Sequence, residues 1–200
     1  MKQTPAAHLK PRSDKPPRRR ASAPAPAALT DAKLVPMGPF YLADMSGLDT
    51  ALKVAKDMQD AYGDRFYVHK GMQRLVSEGH LGAKSGGDGF YKDGEPQIEG
   101  DADPNAEELA DLFVLKSLVE ACEVLEEGVS TVREIDLGMM AGAGLDPRRG
   151  LFPPFWKADL EGLDTMLEKL ERFEESHGER FAPPRILKRL AAQGRLGLKS

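Results

Sequence analysis

The chain has 200 residues, of which 40% are apolar and 30% are charged, and this is the composition of a globular protein with a buried core. No apolar run approaches the roughly 20 residues of a membrane-spanning helix, and the basic N-terminus lacks the apolar stretch of a secretory signal. The single cysteine, Cys122, excludes an intrachain disulfide and a cysteine-rich zinc site. We therefore predict a cytoplasmic protein without a membrane partner.

The net charge of −4 combines a basic segment with an acidic remainder. Residues 1–35 carry 8 Lys/Arg against 2 Asp, which leaves 20 basic against 30 acidic residues in 36–200. Because this segment is rich in Pro, Ala and Arg and poor in branched apolar residues, we predict a disordered basic tail over 1–35. A basic arm could bind nucleic acid, but the remainder offers no second basic patch and no aromatic platform. The composition favours a solvated tail or a misassigned translation start, and we expect no nucleic-acid partner.

An internal repeat dominates the rest of the chain. When the sequence is shifted by 115 residues, 39–85 align with 154–200 without a gap, and 19 of the 47 positions are identical. We call 36–100 the first repeat and 101–200 the second repeat. The second repeat begins with strongly helical sequence, whereas the Pro/Arg tail precedes the first. We therefore expect a first repeat truncated at its N-terminus, a second repeat cut at its last motif, and a chain that is a piece of a larger protein.

Helical signals follow the first repeat in chain order. A helix is predicted after the Gly-Leu-Asp-Thr block at 47–50, with Leu48, Leu52, Ala55 and Met58 on its apolar face and Gly63 at its end. A shorter helix is predicted around 72–76. Only the Phe-Tyr pair at 90–91 indicates extended chain.

The second repeat begins with a longer helix. Asp103 before a proline predicts an N-cap, and the apolar stripe that follows ends near Gly128. Thr131 and Glu134 form a capping-box pattern for a second helix, which the Gly-Ala-Gly segment at 142–144 ends. A third helix is predicted from the block at 162–165 to Gly178, and a fourth over 186–191. The fold class predicted for both repeats is all-α.

Several residues invite a chemical interpretation, and each has a structural alternative. The pairs Asp44/Asp49 and Asp159/Asp164 could act as an acid and a base, but their position beside helix starts favours capping. The four histidines show no metal-ligand spacing. The Gly-Gly-Asp-Gly segment at 86–89 lacks the end of a phosphate-binding loop, and a turn is favoured.

Three further features allow a functional or a structural interpretation. The pair at 148–149, Arg148 and Arg149, could meet a phosphate, and a solvated turn is favoured. An aromatic cluster at 152–156 indicates core or interface, with an apolar ligand pocket as the alternative. Cys122 lies in an apolar stripe, which predicts an inert buried thiol.

The motifs resemble the C-terminal domain of 3-hydroxyacyl-CoA dehydrogenases. In the first repeat they are PMGPF at 36–40, LAD at 42–44, GLD at 47–49 and GHLGAKSGGDGFY at 79–91. In the second repeat they are LVEA at 118–121, LEEG at 125–128, IDL at 135–137 and GAGLDP at 142–147. This second set is similar to the second C-terminal repeat of the bifunctional fatty-acid β-oxidation enzymes. The resemblance covers 36–200.

The resemblance implies two tandem all-α domains, of the type found in 6-phosphogluconate dehydrogenase, that pack against a NAD-binding domain, close an acyl-CoA cleft and supply subunit contacts. The family's catalytic His/Glu pair belongs to the Rossmann domain, and no G-x-G-x-x-G follows a strand in this sequence. The family's substrate-contacting Asn has no counterpart here either. We therefore expect no catalytic, cofactor or metal residues in this chain, an acyl-CoA substrate in the family context, and a NAD-binding domain supplied in cis or in trans.

The same resemblance suggests a substrate-binding element at Phe155, Trp156 and Lys157. Relatives of the bifunctional type often carry a substrate-contacting Tyr two residues before the repeated Asp, and Lys157 occupies that place here, with Leu42 in the first repeat. Three hypotheses follow. The chain is the C-terminal portion of a β-oxidation dehydrogenase and inactive alone, a non-catalytic helical module for dimerisation or docking, or a truncated product without a role. A homo-oligomer is expected under the first two.

Overall fold

The computed structural model describes residues 29–97 and 105–193, and these residues confirm the all-α class. The first repeat contains helices α1 (Pro39–Ser46), α2 (Leu48–Tyr62) and α3 (Lys70–Ser77), followed by strands β1 (Tyr91–Lys92) and β2 (Glu95–Pro96). The second repeat contains α4 (Ala106–Glu126), α5 (Val132–Gly142), α6 (Pro154–Glu161), α7 (Leu163–His177) and α8 (Arg185–Ala192). Single 3-10 turns lie at Gly63–Arg65, Ala83–Ser85, Pro147–Arg149 and Glu179–Phe181. The two strands form an antiparallel hairpin that pairs Tyr91 with Pro96.

The helix ends follow the local sequence signals. The Thr131 hydroxyl accepts a hydrogen bond from Glu134 N, and the Glu134 carboxylate accepts one from Thr131 N, so the predicted capping box at the start of α5 is present. The N-cap of α4 is Asn105, whose side chain accepts from Glu107 N at 3.1 Å. Our predicted cap, Asp103, lies outside the described residues. The Pro-based signal thus placed the start of this helix two residues too early.

Two short helices that we did not predict, α1 and α6, occupy equivalent positions in the repeats. Each begins with a proline, whose fixed φ suits the first helical position. Glycines then join each short helix to the next one, and their φ values of +94° at Gly47 and +92° at Gly162 disfavour any other residue. The same corner is therefore built twice.

Residues 29–35, which we predicted as the end of the disordered tail, instead form a turn. Leu34 N donates to Leu29 O at 2.9 Å, and the Leu29 side chain is buried. The reason is that apolar residues return at this point in the sequence and find a surface to cover. The rest of the predicted tail, 1–28, lies outside the described residues, and the predicted domain boundaries stay predictions.

The described residues hold two separate hydrophobic cores, one in each repeat. Helix α4 lies across α6, α7 and α8 and closes the larger core. Its fully buried members include Leu115, Leu118, Cys122, Phe155, Met166, Leu170 and Leu187. The smaller core consists of Leu48, Leu52, Val68, Met72 and Phe90. Among the described helices, none combines the length and the apolar character needed to cross a membrane.

Candidate functional site

A groove of about 740 Å³ opens between the two repeats and is the candidate binding site of the described structure. One wall is the outer face of α4, from Leu109 to Val124. The opposite wall combines the 3-10 turn of the first repeat with that of the second. Most of the lining is apolar, and its charged side chains are Arg65, Lys116, Glu120 and Arg180.

A charge cluster within this groove links the two repeats. Arg65 Nε and Nη2 donate to the Glu120 carboxylate at 3.0 and 2.6 Å, and Lys116 Nζ lies 2.6 Å from Glu120 Oε1. The hydrogen bond to Glu120 raises the pKa of Arg65. Burial alone would raise the pKa of Glu120, but the bonds from Arg65 and Lys116 lower it. Glu120 is thus held ionised as a clamp between the repeats, which does not suit a general acid.

Two buried aspartates hold backbone segments in place. Asp44 accepts hydrogen bonds from Phe90 N and Tyr91 N at 2.8 and 2.9 Å. We expected Asp44 to cap a helix start, and this was wrong, because it lies inside α1 and fastens the loop after 85 instead. A Cβ at Gly89 would clash with the Asp44 carboxylate, so the loop can approach it only with glycine there.

Asp136 plays the corresponding part in the second repeat, and sequence reasoning missed it. From α5 it accepts hydrogen bonds from Phe155 N at 3.1 Å and Trp156 N at 2.9 Å, and so caps the start of α6 from a distant helix. Burial raises the pKa of Asp136, while these two backbone bonds oppose that effect. The one sequence signal for it is an acidic residue between the apolar neighbours Ile135 and Leu137.

The predicted substrate-binding residues do not share one surface. Phe155 is completely buried in the larger core, whereas the Trp156 side chain is 40% exposed and lies 5.8 Å from the ring of Phe152. Lys157 forms an ion pair with Glu161 at 2.8 Å and lines a small cavity of about 60 Å³. Trp156 and Lys157 are thus the accessible members of the set. Their contact with substrate stays a prediction.

The remaining acidic and histidine candidates have structural surroundings. Asp49 and Asp164 lie in the first turns of α2 and α7 without a side-chain cap bond. His69 Nδ1 accepts from Met72 N at 3.1 Å and caps α3, and the His177 ring stacks on Phe173 at 5.0 Å. No group of three or more potential metal ligands occurs within 29–97 and 105–193.

The turn, the arginine pair and the thiol have structural roles. Gly86 takes the left-handed conformation with φ +70° and forms the predicted turn. The Arg148 guanidinium pairs with Asp146 at 3.0 Å in an exposed 3-10 turn. Cys122 is fully buried, and burial, with the nearby Glu126 and Glu123, raises the pKa of its thiol to about 12. The inert buried thiol that we predicted is therefore confirmed.

Comparisons with known proteins agree with this architecture. The family described as 3-hydroxyacyl-CoA dehydrogenase, C-terminal domain, matches the chain twice, at 27–93 and 112–200. Two similar proteins are the fatty acid oxidation complex subunits alpha of Idiomarina loihiensis (34% identity) and Shewanella amazonensis (31% identity). Each alignment covers 80% of this chain and 24% of the relative, so the chain spans about a quarter of their length.

A solved structure shares the fold. The 3-hydroxybutyryl-CoA dehydrogenase of Escherichia coli K12 superposes with a TM-score of 0.67 at 20% sequence identity, over 87% of this chain and 55% of that one. The two family segments coincide with the two helical repeats described above. The chain belongs to the family of 3-hydroxyacyl-CoA dehydrogenase C-terminal domains, which it contains in two tandem copies.

Proposed function

We propose that this chain is the substrate-cleft and dimerisation portion of a 3-hydroxyacyl-CoA dehydrogenase of fatty-acid oxidation. We further propose that it is cytoplasmic and transfers no hydride alone. The observation that carries the proposal is the double match to the family's C-terminal domain. The fatty acid oxidation complex subunits that it resembles are about four times longer, which leaves room in such proteins for the reacting domain.

The described residues do not fit NAD, the cofactor that the family implies. A dinucleotide-binding domain needs parallel strands and a glycine-rich turn that leads into a helix. Residues 29–97 and 105–193 contain only the two-residue strands β1 and β2, which are antiparallel. No residue of this chain is therefore assigned to NAD, and the proposal places that function in another domain, in cis or in trans.

The buried aspartate clamps and the charge cluster support a positioning role. Asp44, Asp136 and Glu120 are each engaged by hydrogen bonds, and Glu120 is held ionised. A general acid or base must instead be free to exchange a proton with substrate. The ionisable groups with the most partners thus hold the helices in place, as expected of a domain that shapes a cleft.

The test is hydride transfer by the purified chain. With 3-hydroxybutyryl-CoA and NAD we expect no NADH above the buffer rate. Addition of the separately expressed NAD-binding domain of a fatty acid oxidation complex subunit alpha should then produce activity above that of the added domain alone. NADH formation by this chain alone would contradict the proposal, and failure to stimulate the added domain would remove its support for a role in trans.

Acyl-CoA binding can be followed through the single tryptophan. Because Trp156 is 40% exposed beside Lys157, acetoacetyl-CoA bound there should change its fluorescence. The variant Lys157→Ala should weaken that change, whereas Lys53→Ala, at an exposed pair on α2, should not. An equal response in both variants would remove Lys157 from the site.

A non-catalytic module for dimerisation or docking is the second candidate, and the groove between the repeats favours it. The groove is largely apolar and opens on the surface, as protein interfaces do. Sedimentation of the purified chain separates the two roles. A monomer that nonetheless stimulates the NAD-binding domain supports cleft formation, and a stable dimer without stimulation supports the module.

A further inference from the structure

The two repeats are unequally covered at equivalent positions. In the second repeat, α4 packs across α7 and the 3-10 turn Glu179–Phe181, where Leu170, Phe173 and Phe181 are buried. Their counterparts 115 residues earlier are Ala55, Met58 and Phe66, and all three are partly exposed. Within the described part of the first repeat, no helix takes the place of α4. A helix-sized piece of the apolar surface of this repeat is therefore uncovered.

The arginines of the two 3-10 turns show the same asymmetry. Arg65 and Arg180 are equivalent in the repeat, and both line the groove between the repeats. Arg65 reaches across to Glu120 on α4 and binds it with two nitrogens. Arg180 is exposed, lies 5.6 Å from the ring of Phe181, and has no carboxylate partner among the described residues. One half of a two-fold arrangement is thus filled and the other is open.

We propose that the groove binds one amphipathic helix of a partner polypeptide segment. Its apolar face would cover Phe66 and the outer face of α4, and a glutamate on it would pair with Arg180 as Glu120 pairs with Arg65. The wall from Leu109 to Val124 spans 15 residues, or about 22 Å at 1.5 Å per residue, which matches a helix of about four turns. This proposal uses only the repeat, burial and charge, and it does not depend on the dehydrogenase role.

The chain's own N-terminal residues do not suit this helix. Residues 1–28 contain six prolines, and proline inside a helix removes a hydrogen bond and clashes with the preceding turn. Helix α4 is itself engaged in the second repeat, where Leu115, Leu118 and Cys122 are buried. The occupant is therefore a segment from elsewhere with the chemistry of α4, namely a Leu/Val stripe that carries one glutamate.

The probe for this groove is a fluorescein-labelled peptide with the sequence of 105–127 and the change Cys122→Ser, because α4 already fits the equivalent face. We expect saturable binding to the full chain in anisotropy titrations. The chain variant Arg180→Gln should weaken it about tenfold, as should Glu120→Gln in the peptide. The two changes together should be no worse than either alone, and Arg180→Glu with Glu120→Lys in the peptide should restore binding. The matched control is Arg74→Gln, at an exposed arginine on α3.

Four outcomes would overturn the proposal. The first is the absence of saturable binding up to millimolar peptide. The second is binding that Arg180→Gln leaves unchanged. The third is exposure of Cys122 of the chain to a thiol reagent when peptide binds, since this would mean that the peptide displaces α4. The fourth is occupation of the groove by another ligand, seen as self-association or as dodecanoyl-CoA binding that Arg180→Gln weakens and that excludes the peptide.

Discussion

Removal of the Asp136 carboxylate should destabilise the chain by more than any other change of one exposed or half-buried charge. The variant Asp136→Ala deletes the acceptor for Phe155 N at 3.1 Å and Trp156 N at 2.9 Å. Because Phe155 is completely buried, water cannot replace the lost acceptor at its N–H. The first turn of α6 is then left without its cap.

The magnitude follows from two opposing contributions. Hydrogen bonds to a charged group contribute about 1.5–3 kcal/mol each, so two of them give about 3–6 kcal/mol. Burial raises the pKa of Asp136, which shows that the protein holds this charge at a cost that the variant recovers. We expect a net loss of about 2–3 kcal/mol in the free energy of unfolding. For a chain of this size, that corresponds to a fall in Tm of roughly 5–10 °C.

Urea unfolding followed by circular dichroism measures this loss, with Asp159→Ala as the control. Asp159 is half-buried and close enough to Asp136 to raise its pKa, but no hydrogen bond or ion pair holds it within the described residues. Its removal should change the free energy of unfolding by less than about 0.5 kcal/mol. The reasoning is refuted if Asp136→Ala unfolds within that margin of the wild type, or if both variants lose the same stability.

Three further expectations concern other groups. Gly89→Ala should cost about 1–3 kcal/mol, because the new Cβ would clash with the buried Asp44 carboxylate, whereas Gly87→Ala meets nothing within 4 Å and should be near neutral in the same unfolding experiment. Cys122, whose thiol pKa is raised to about 12, should react with iodoacetamide at pH 8 roughly a thousandfold more slowly in the native chain than in urea, and equal rates would contradict its burial. The lowered pKa of Glu120 means that its contribution to stability is present above its unfolded pKa of about 4.3 and is lost as the pH falls through the folded value. The stability difference between the wild type and Glu120→Gln, measured by urea unfolding at several pH values, should therefore shrink below about pH 4, and a constant difference would exclude ionisation as its cause.

Local sequence signals predicted the elements that depend on neighbouring residues. The capping box of Thr131 and Glu134 and the glycine ends at Gly63 and Gly178 lie within a few residues of the structure they specify. The repeat and its motifs indicated the family, which the double match to the family's C-terminal domain confirms. Such features are encoded in spacing, which a single sequence contains.

Contacts between distant residues were not accessible in this way. Arg65 and Glu120 are 55 residues apart, and no local pattern marks them as partners. Asp44 stands next to a helix start, which favoured a cap, but the loop that it binds lies 46 residues later and its position is decided by tertiary packing. The groove likewise depends on how the repeats pack together. The repetition of Arg65 as Arg180 was the one signal of the charged contact in the sequence.

The two separate cores have a consequence for synthesis on the ribosome. The first repeat leaves the ribosome about 100 residues before the second is complete, and at 5–20 residues per second that interval lasts roughly 5–20 s. Its own core has five buried members, against thirteen in the second, and its cross-repeat anchor, Glu120, has not yet been made. We expect the nascent first repeat to be a chaperone client until α4 emerges. Translation pauses before α4 should therefore lower the yield of folded chain more than pauses after it.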